Sequence, residues 1–223
     1  QYMRELAAAR RDGRYPAIAH RKPPGPVVIW NLTRRCNLTC KHCYALSADH
    51  AYPGELSLDE CRAVIDDLRA FRVPALILSG GEPLLPPDLF DIPRHAKAAG
   101  LHVSLSTNGT LIDAPLADRI AAQRFDYVGI SIDGLRETHD RFRRKVGAYD
   151  ASMSALRLLR DRGVKIGLRY TMTDMNAADL PALLQTMGDE GIDKFYFSHL
   201  NYAGRGNIHR TRDAHHQATR DAL

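Results

Sequence analysis

Cys36-Asn37-Leu38-Thr39-Cys40-Lys41-His42-Cys43-Tyr44 places three thiols within eight residues, shortly after the apolar run Val27-Val28-Ile29-Trp30. That run reads as a buried strand, so the cysteines fall in the loop at its carboxyl end. A structural zinc ion asks for four closed ligands, and only Cys61 remains as a distant fourth. Three thiolates suit an iron–sulfur cubane better, because thiolate is its usual protein ligand and three of them leave one iron open.

On the amino-terminal side, residues 1–26 read as a lead-in. A short helix is expected over 3–11, then an extended segment through Arg21-Lys22-Pro23-Pro24-Gly25-Pro26, where prolines forbid a helix. On the carboxyl side, Ser57 reads as a helix cap with Asp59 and Glu60 in the first turn. Leu58, Cys61, Ile65 and Leu68 follow at the spacing of a buried stripe, so Cys61 is expected to be a small buried hydrophobe. Further apolar runs begin near 75, 103, 127, 165 and 195, with helical patterns between them over 116–125, 152–161 and 180–187. This alternation predicts an α/β fold of parallel strands joined by right-handed crossovers. A doubly wound open sheet and a partial barrel both satisfy it.

Each run ends in polar or glycine-rich residues. Gly80-Gly81-Glu82-Pro83 closes the second, Ser106 and Asn108 the third, and Ser131 and Asp133 the fourth. Glycines let a backbone approach a ligand, and a carboxylate suits an ammonium group. Gly-Gly, Asn108-Gly109 and Asp133-Gly134 are equally well explained as turns. Arg169 lies within the fifth run, where a buried guanidinium needs an anion, either a ligand carboxylate or an internal Asp or Glu.

These stretches together resemble the radical S-adenosylmethionine (SAM) enzymes, whose C-x3-C-x2-C loop binds a [4Fe-4S] cluster that chelates the methionine end of SAM. The resemblance implies a partial TIM barrel, a (β/α)6 core over 27–200, with 201–223 as the start of a further region. It implies Cys36, Cys40 and Cys43 as cluster ligands and the His42 main chain beside adenine. Gly80, Gly81, Glu82 and Pro83 would hold the SAM amino group, with Ser106, Asn108, Ser131, Asp133 and Arg169 serving its ribose and methionine termini. Gly81→Val is then expected to weaken SAM binding while the cluster still assembles, because the cluster ligands lie on another loop.

Trp30-Asn31-Leu32-Thr33-Arg34-Arg35, Asp140-Arg141-Phe142-Arg143-Arg144 and the stretch 193–207 are similar to the NirJ-type group that serves heme d1 biosynthesis in denitrifying bacteria. This implies a didecarboxysiroheme-like tetrapyrrole as substrate, reaction at ring propionates, and a flavodoxin or ferredoxin as electron donor. A related heme-pathway decarboxylase, a peptide-modifying enzyme and a non-catalytic iron–sulfur or zinc protein are the competing readings. His199 is a candidate ligand to the ring iron and Arg205 a candidate clamp for a substrate carboxylate, against a wall-packed histidine and a solvated loop charge. The group carries a second iron–sulfur cluster in a cysteine-rich carboxyl-terminal extension. No cysteine follows Cys61 here, and the chain begins at Gln1 and stops at Leu223, so a fragment is expected.

The 223 residues are 44% hydrophobic and 26% charged, which suits one globular domain with a sizeable core. A net charge of +5 fits an ordinary basic surface, compatible with an anionic small molecule, and gives no ground for a nucleic-acid partner. No run approaches the ~18 apolar residues of a membrane span, and no signal pattern opens the chain. A cytoplasmic protein with reduced cysteines is expected.

Overall fold

Six parallel strands lie side by side in the order in which the chain makes them: β1 (Val28–Asn31), β2 (Ala75–Ser79), β3 (His102–Thr107), β4 (Tyr127–Ser131), β5 (Ile166–Met172) and β6 (Phe195–His199). The computed structural model describes residues 25–192, 194–214 and 220. The helix expected over 3–11 and nearly all of the 1–26 lead-in lie outside them. Because parallel crossovers are right-handed and the strand order never reverses, the connecting helices cover one face of the sheet. The sheet curls around the other face as a half-barrel. This settles the choice that alternation alone left open, since a doubly wound sheet reverses its order at a switch point.

Strand alternation assigns the two faces. Leu76, Leu78, Val103, Leu105, Val128, Ile130, Leu168 and Met172 are almost fully buried under the helices. Each such side chain contributes roughly 1.5–3 kcal/mol of burial. The residues between them, among them Ser79, Ser106, Ser131, Arg169 and Thr171, face the concave side. Register aligns this inner layer, pairing Asn31 with Ser79, Ser131 with Arg169 and Thr171 with Ser198.

Helix α1 (Leu58–Ala70) follows β1, and its start is a capping box: the Glu60 carboxylate accepts from the Ser57 backbone N–H at 2.8 Å while the Ser57 hydroxyl accepts from the Glu60 N–H. Cys61 and Ile65 of the predicted stripe are buried in the core, with Leu58 and Leu68 packed against them. Helix α2 (Asp91–Ala98) had no expectation behind it. Helix α3 (Ala114–Ala122) starts earlier than its apolar pattern, because Asp113 caps the Leu116 N–H at 2.9 Å and Pro115 occupies the first turn. Helix α4 (Arg136–Arg143) was also missed: only His139, Phe142 and Arg143 of its eight residues are buried, so apolar periodicity carries no signal. Helices α5 (Ala148–Arg160), α6 (Leu180–Asp189) and α7 (Gly204–Ile208) complete the layer and the turn beyond β6.

Candidate metal centre and cofactor cleft

The loop after β1 carries Cys36, Cys40 and Cys43, all free thiols, with Cys36 and Cys40 buried around Leu38. The loop is pinned from several directions. The Cys36 N–H donates to the Ala48 carbonyl at 3.0 Å and the Lys41 N–H to the Phe142 carbonyl at 2.9 Å. The Cys36 sulfur receives the Leu38 N–H at 3.4 Å and the Asn108 Nδ2 at 3.9 Å. Burial pushes the Cys36 thiol up to about 12 and raises Cys40 as well, so a bound cation must supply the charge that makes these groups thiolates. Among the described residues no three His, Cys, Asp or Glu side chains close on a single ion. A cubane does not ask for that convergence, since each thiolate bonds its own iron, and the donor set fits such a cluster.

Behind the loop lies a buried charged network. The Arg143 Nη1 donates to the Cys40 sulfur at 3.7 Å, and the other end of the guanidinium pairs with the Asp133 carboxylate. Asp133 also accepts the Thr171 N–H at 2.8 Å, and its own N–H donates to the His139 Nδ1 at 3.0 Å. Burial raises the Asp133 carboxyl, but the Arg143 guanidinium, the neighbouring His42 and His139 and the Thr171 N–H together outweigh it and hold the group below its usual range. His42 stacks on Phe142 with ring centroids 4.5 Å apart, and burial lowers its imidazole to about 4, which keeps it neutral. Asp133 is fully buried and does not line the cleft, so the structure turns it to Arg143 rather than toward a ribose.

The Gly80-Gly81-Glu82-Pro83 turn differs from its expected use. A Cβ on Gly80, where φ is +149°, would lie 2.5 Å from the Thr33 carbonyl oxygen, and one on Gly81 would lie 2.2 Å from that of Arg35. The close neighbour that demands glycine is therefore the backbone leading into the cysteine loop. The Gly81 and Glu82 N–H groups are spent on the same segment, donating to the Thr33 and Arg35 carbonyls at 2.6 and 2.9 Å. Glu82 is fully buried, and its carboxylate accepts from the Thr107 hydroxyl at 2.6 Å, the Asn108 N–H at 2.9 Å and the Leu84 N–H at 3.1 Å. Burial pushes the Glu82 carboxyl up to about 7 against those three donors. Its oxygens brace the ends of β2 and β3 and do not face the cleft. Pro83 is likewise buried.

Gly80 and Gly81 do border a cleft of about 570 Å³ at the carboxyl ends of the strands, which the three cysteines, His42, Ser106, Asn108, Ser131, Arg169 and His199 also line. The Ser106 and Ser131 hydroxyls make no hydrogen bond to described residues. Arg169 is half-buried with no carboxylate partner among the described residues. Its aliphatic stem crosses β4 over Gly129, where a Cβ would meet the Arg169 Cδ at 2.7 Å. Asn108 is committed within the protein, donating to the Asn37 Oδ1 at 2.9 Å and accepting from the Thr110 N–H at 2.8 Å. The His199 Nδ1 lies 3.4 Å from the Asp213 carboxylate.

Arg205 lies outside the cleft lining. Its Nε and Nη2 donate to the carbonyls of Cys40 and Ser47 at 2.7 and 2.8 Å, and its N–H donates to the Cys43 carbonyl at 2.9 Å. With these three bonds the residue staples the cysteine loop to the start of α7. Arg205→Ala leaves two partly buried carbonyls without donors and is expected to cost about 1–3 kcal/mol. Faster iron loss to a chelator from the reconstituted variant than from wild type is the expected readout; equal rates would free the side chain for another task.

The residues missed by sequence reasoning are those whose roles depend on long-range contact. Arg143 sits in a run of arginines, Phe142 in the same run, and Gly129 within a strand. Only Asn37, inside the motif itself, was within reach of a local signal.

A parallel half-barrel with three free thiols in the loop after its first strand, opening on a polar cleft, defines a cluster-binding α/β-barrel protein. The chain belongs to the radical SAM superfamily, whose family model matches residues 30–187. Membership implies a [4Fe-4S] cluster and SAM. Pre-heme d1 synthase of Dinoroseobacter shibae is 55% identical over 208 residues, 93% of this chain and 51% of that protein. Fe-coproporphyrin III synthase of Methanosarcina barkeri is 43% identical over 202 residues, 91% of this chain and 51% of that protein. The chain thus spans about half the length of the curated relatives it matches. Among solved structures, native anSMEcpe with bound AdoMet superposes with a TM-score of 0.68 at 21% identity, over 80% of this chain and 52% of that one, and shares the fold.

Proposed function

We propose that the chain is the SAM-cleaving core of an enzyme of heme d1 biosynthesis that modifies propionate side chains of a didecarboxysiroheme-like tetrapyrrole. The 55% identity to a pre-heme d1 synthase along nearly the whole chain carries this reading. When bound, the cluster and SAM supply the reductive cleavage that yields a 5'-deoxyadenosyl radical able to take hydrogen from a propionate. Cys36, Cys40 and Cys43 hold the cluster and leave one iron for SAM. The Ser106 and Ser131 hydroxyls, without hydrogen-bond partners among the described residues, face the space where ribose and methionine groups lie. Arg169 receives the SAM carboxylate, because a half-buried guanidinium with no anion beside it among the described residues is satisfied by an external one. His199, oriented through Nδ1 by Asp213, stands at the cleft edge as a ligand for the tetrapyrrole iron.

A flavodoxin or ferredoxin delivers the electron, and the protein works in the cytoplasm of a denitrifying cell. No helix among the described residues is long and apolar enough to cross a membrane. A second cluster, which the resemblance to the NirJ-type group implies, finds no thiolate after Cys61 within these 223 residues.

Anaerobic reconstitution with iron and sulfide, followed by mass spectrometry of SAM products with and without the tetrapyrrole, tests the reading. SAM cleavage that the tetrapyrrole does not alter would argue for another substrate. Arg169→Ala is expected to weaken SAM binding by about 1.5–3 kcal/mol, the range for a hydrogen bond to a charged group. Equilibrium dialysis of labelled SAM against the reconstituted protein checks it, and unchanged affinity would remove Arg169 from the site.

A further inference from the structure

We propose that Arg143 is a tuning residue for the cluster: its buried guanidinium, hydrogen-bonded to the Cys40 sulfur and held by Asp133, sets the reduction potential of the iron–sulfur centre. The inference rests on the assignment of Cys40 as a cluster ligand. Three observations carry it.

First, the guanidinium is placed on the sulfur itself, with Nη1 3.7 Å from the Cys40 Sγ, and the residue is buried. Hydrogen bonds to ligand sulfur, local net charge and exposure are the protein's levers on cluster potential; Arg143 supplies the first, and it presents to that sulfur the cationic end of a pair that Asp133 makes neutral overall. Reduction adds one electron from an external donor to the centre and so adds negative charge at its ligand sulfurs. A fixed cation at Cys40 stabilises that reduced state more than the oxidised one, and raises the potential.

Second, the charge is held in place by partners that have no other evident task. The far side of the guanidinium pairs with Asp133, which is fully buried. Asp133 is fixed in turn by the Thr171 N–H at 2.8 Å. His42 lies 3.9 Å from the same carboxylate and is itself held by stacking on Phe142. An ion pair buried only for stability has no reason to spend a guanidinium hydrogen on a sulfur, and buried pairs are weak sources of stability.

Third, Arg143 and Arg205, which reach the cysteine loop from distant parts of the chain, divide their work. Arg205 donates to backbone carbonyls and fixes the loop's path, whereas Arg143 addresses a sulfur.

Potentiometric titration of the reconstituted centre, read by electron paramagnetic resonance without SAM or substrate, tests the proposal. Arg143→Gln would leave Asp133 buried and unpaired and could unfold the site, so Arg143→Gln with Asp133→Asn removes both charges together. Arg143→Lys keeps the charge and loses the fork. The double variant is expected to shift the midpoint to lower potential by at least a tenfold change in the reduced-to-oxidised ratio, about 59 mV for a one-electron couple, with the lysine variant lying between it and wild type. A double variant that holds a cluster at the wild-type potential would overturn the inference. Loss of the cluster from every variant, with wild type fully loaded, would overturn it in favour of a purely structural pair. Wild-type chain that takes up no cluster would overturn the cysteine assignment itself, and the inference with it.

Discussion

Single replacement of Cys36, Cys40 or Cys43 with Ala is expected to abolish both the iron–sulfur absorbance of the reconstituted chain and its SAM cleavage, while Cys61→Ala leaves both nearly unchanged. With three thiolates on a cubane, one iron is already open; removing a ligand opens a second, and the centre is no longer held against loss. Asn108 and Arg143, the side chains that touch Cys36 and Cys40, carry donor nitrogens and no anionic ligand atom toward them. Cys61 belongs to the buried stripe of α1 and packs in the main core, apart from the small cluster of loop cysteines. Iron and sulfide analysis beside the absorption spectrum makes the measurement. Retention of a full cluster by any of the three loop variants, or its loss from Cys61→Ala, would falsify the assignment.

Gly81→Val is expected to cost about 3 kcal/mol or more of stability and to lose the cluster, not merely to weaken SAM binding. The added Cβ would lie 2.2 Å from the Arg35 carbonyl oxygen and 2.6 Å from that of Arg34, inside any tolerable contact. Neither side can yield cheaply. The Gly81 N–H is bonded to the Thr33 carbonyl at 2.6 Å and the Glu82 N–H to the Arg35 carbonyl at 2.9 Å, so the two segments move together or part. Arg35 immediately precedes Cys36, so displacement passes straight into the thiol loop. This reverses the expectation drawn from sequence, in which the two loops act separately. Iron content per chain and the denaturant midpoint of the apoprotein decide between them: full iron content with reduced SAM affinity would restore the independent-loop reading.

Much of this protein was legible before any coordinates. The thiol spacing pointed to a cluster, because ligand chemistry depends on residue type and local separation. Six strand runs and most helices were visible because burial on one face imposes a period on the sequence. Helix α4 was not, since a mostly charged helix buries too little to mark itself. The sequence also singled out Ser106, Ser131 and Arg169 on the strands, and these three residues line the cleft.

What only the tertiary structure decided is which polar groups face that cleft and which are consumed inside the protein. Glu82 and Asp133 stand in the expected loops, yet both carboxylates are turned inward, one onto β3 and one onto Arg143. Arg205 lies beyond the last strand and closes onto the first loop, a contact across more than 150 residues of chain. The physical reason is common to all three: sequence places a side chain on an element, but an unpaired buried charge or carbonyl takes the partner that curling brings within reach, and that partner is set by the closure of the sheet.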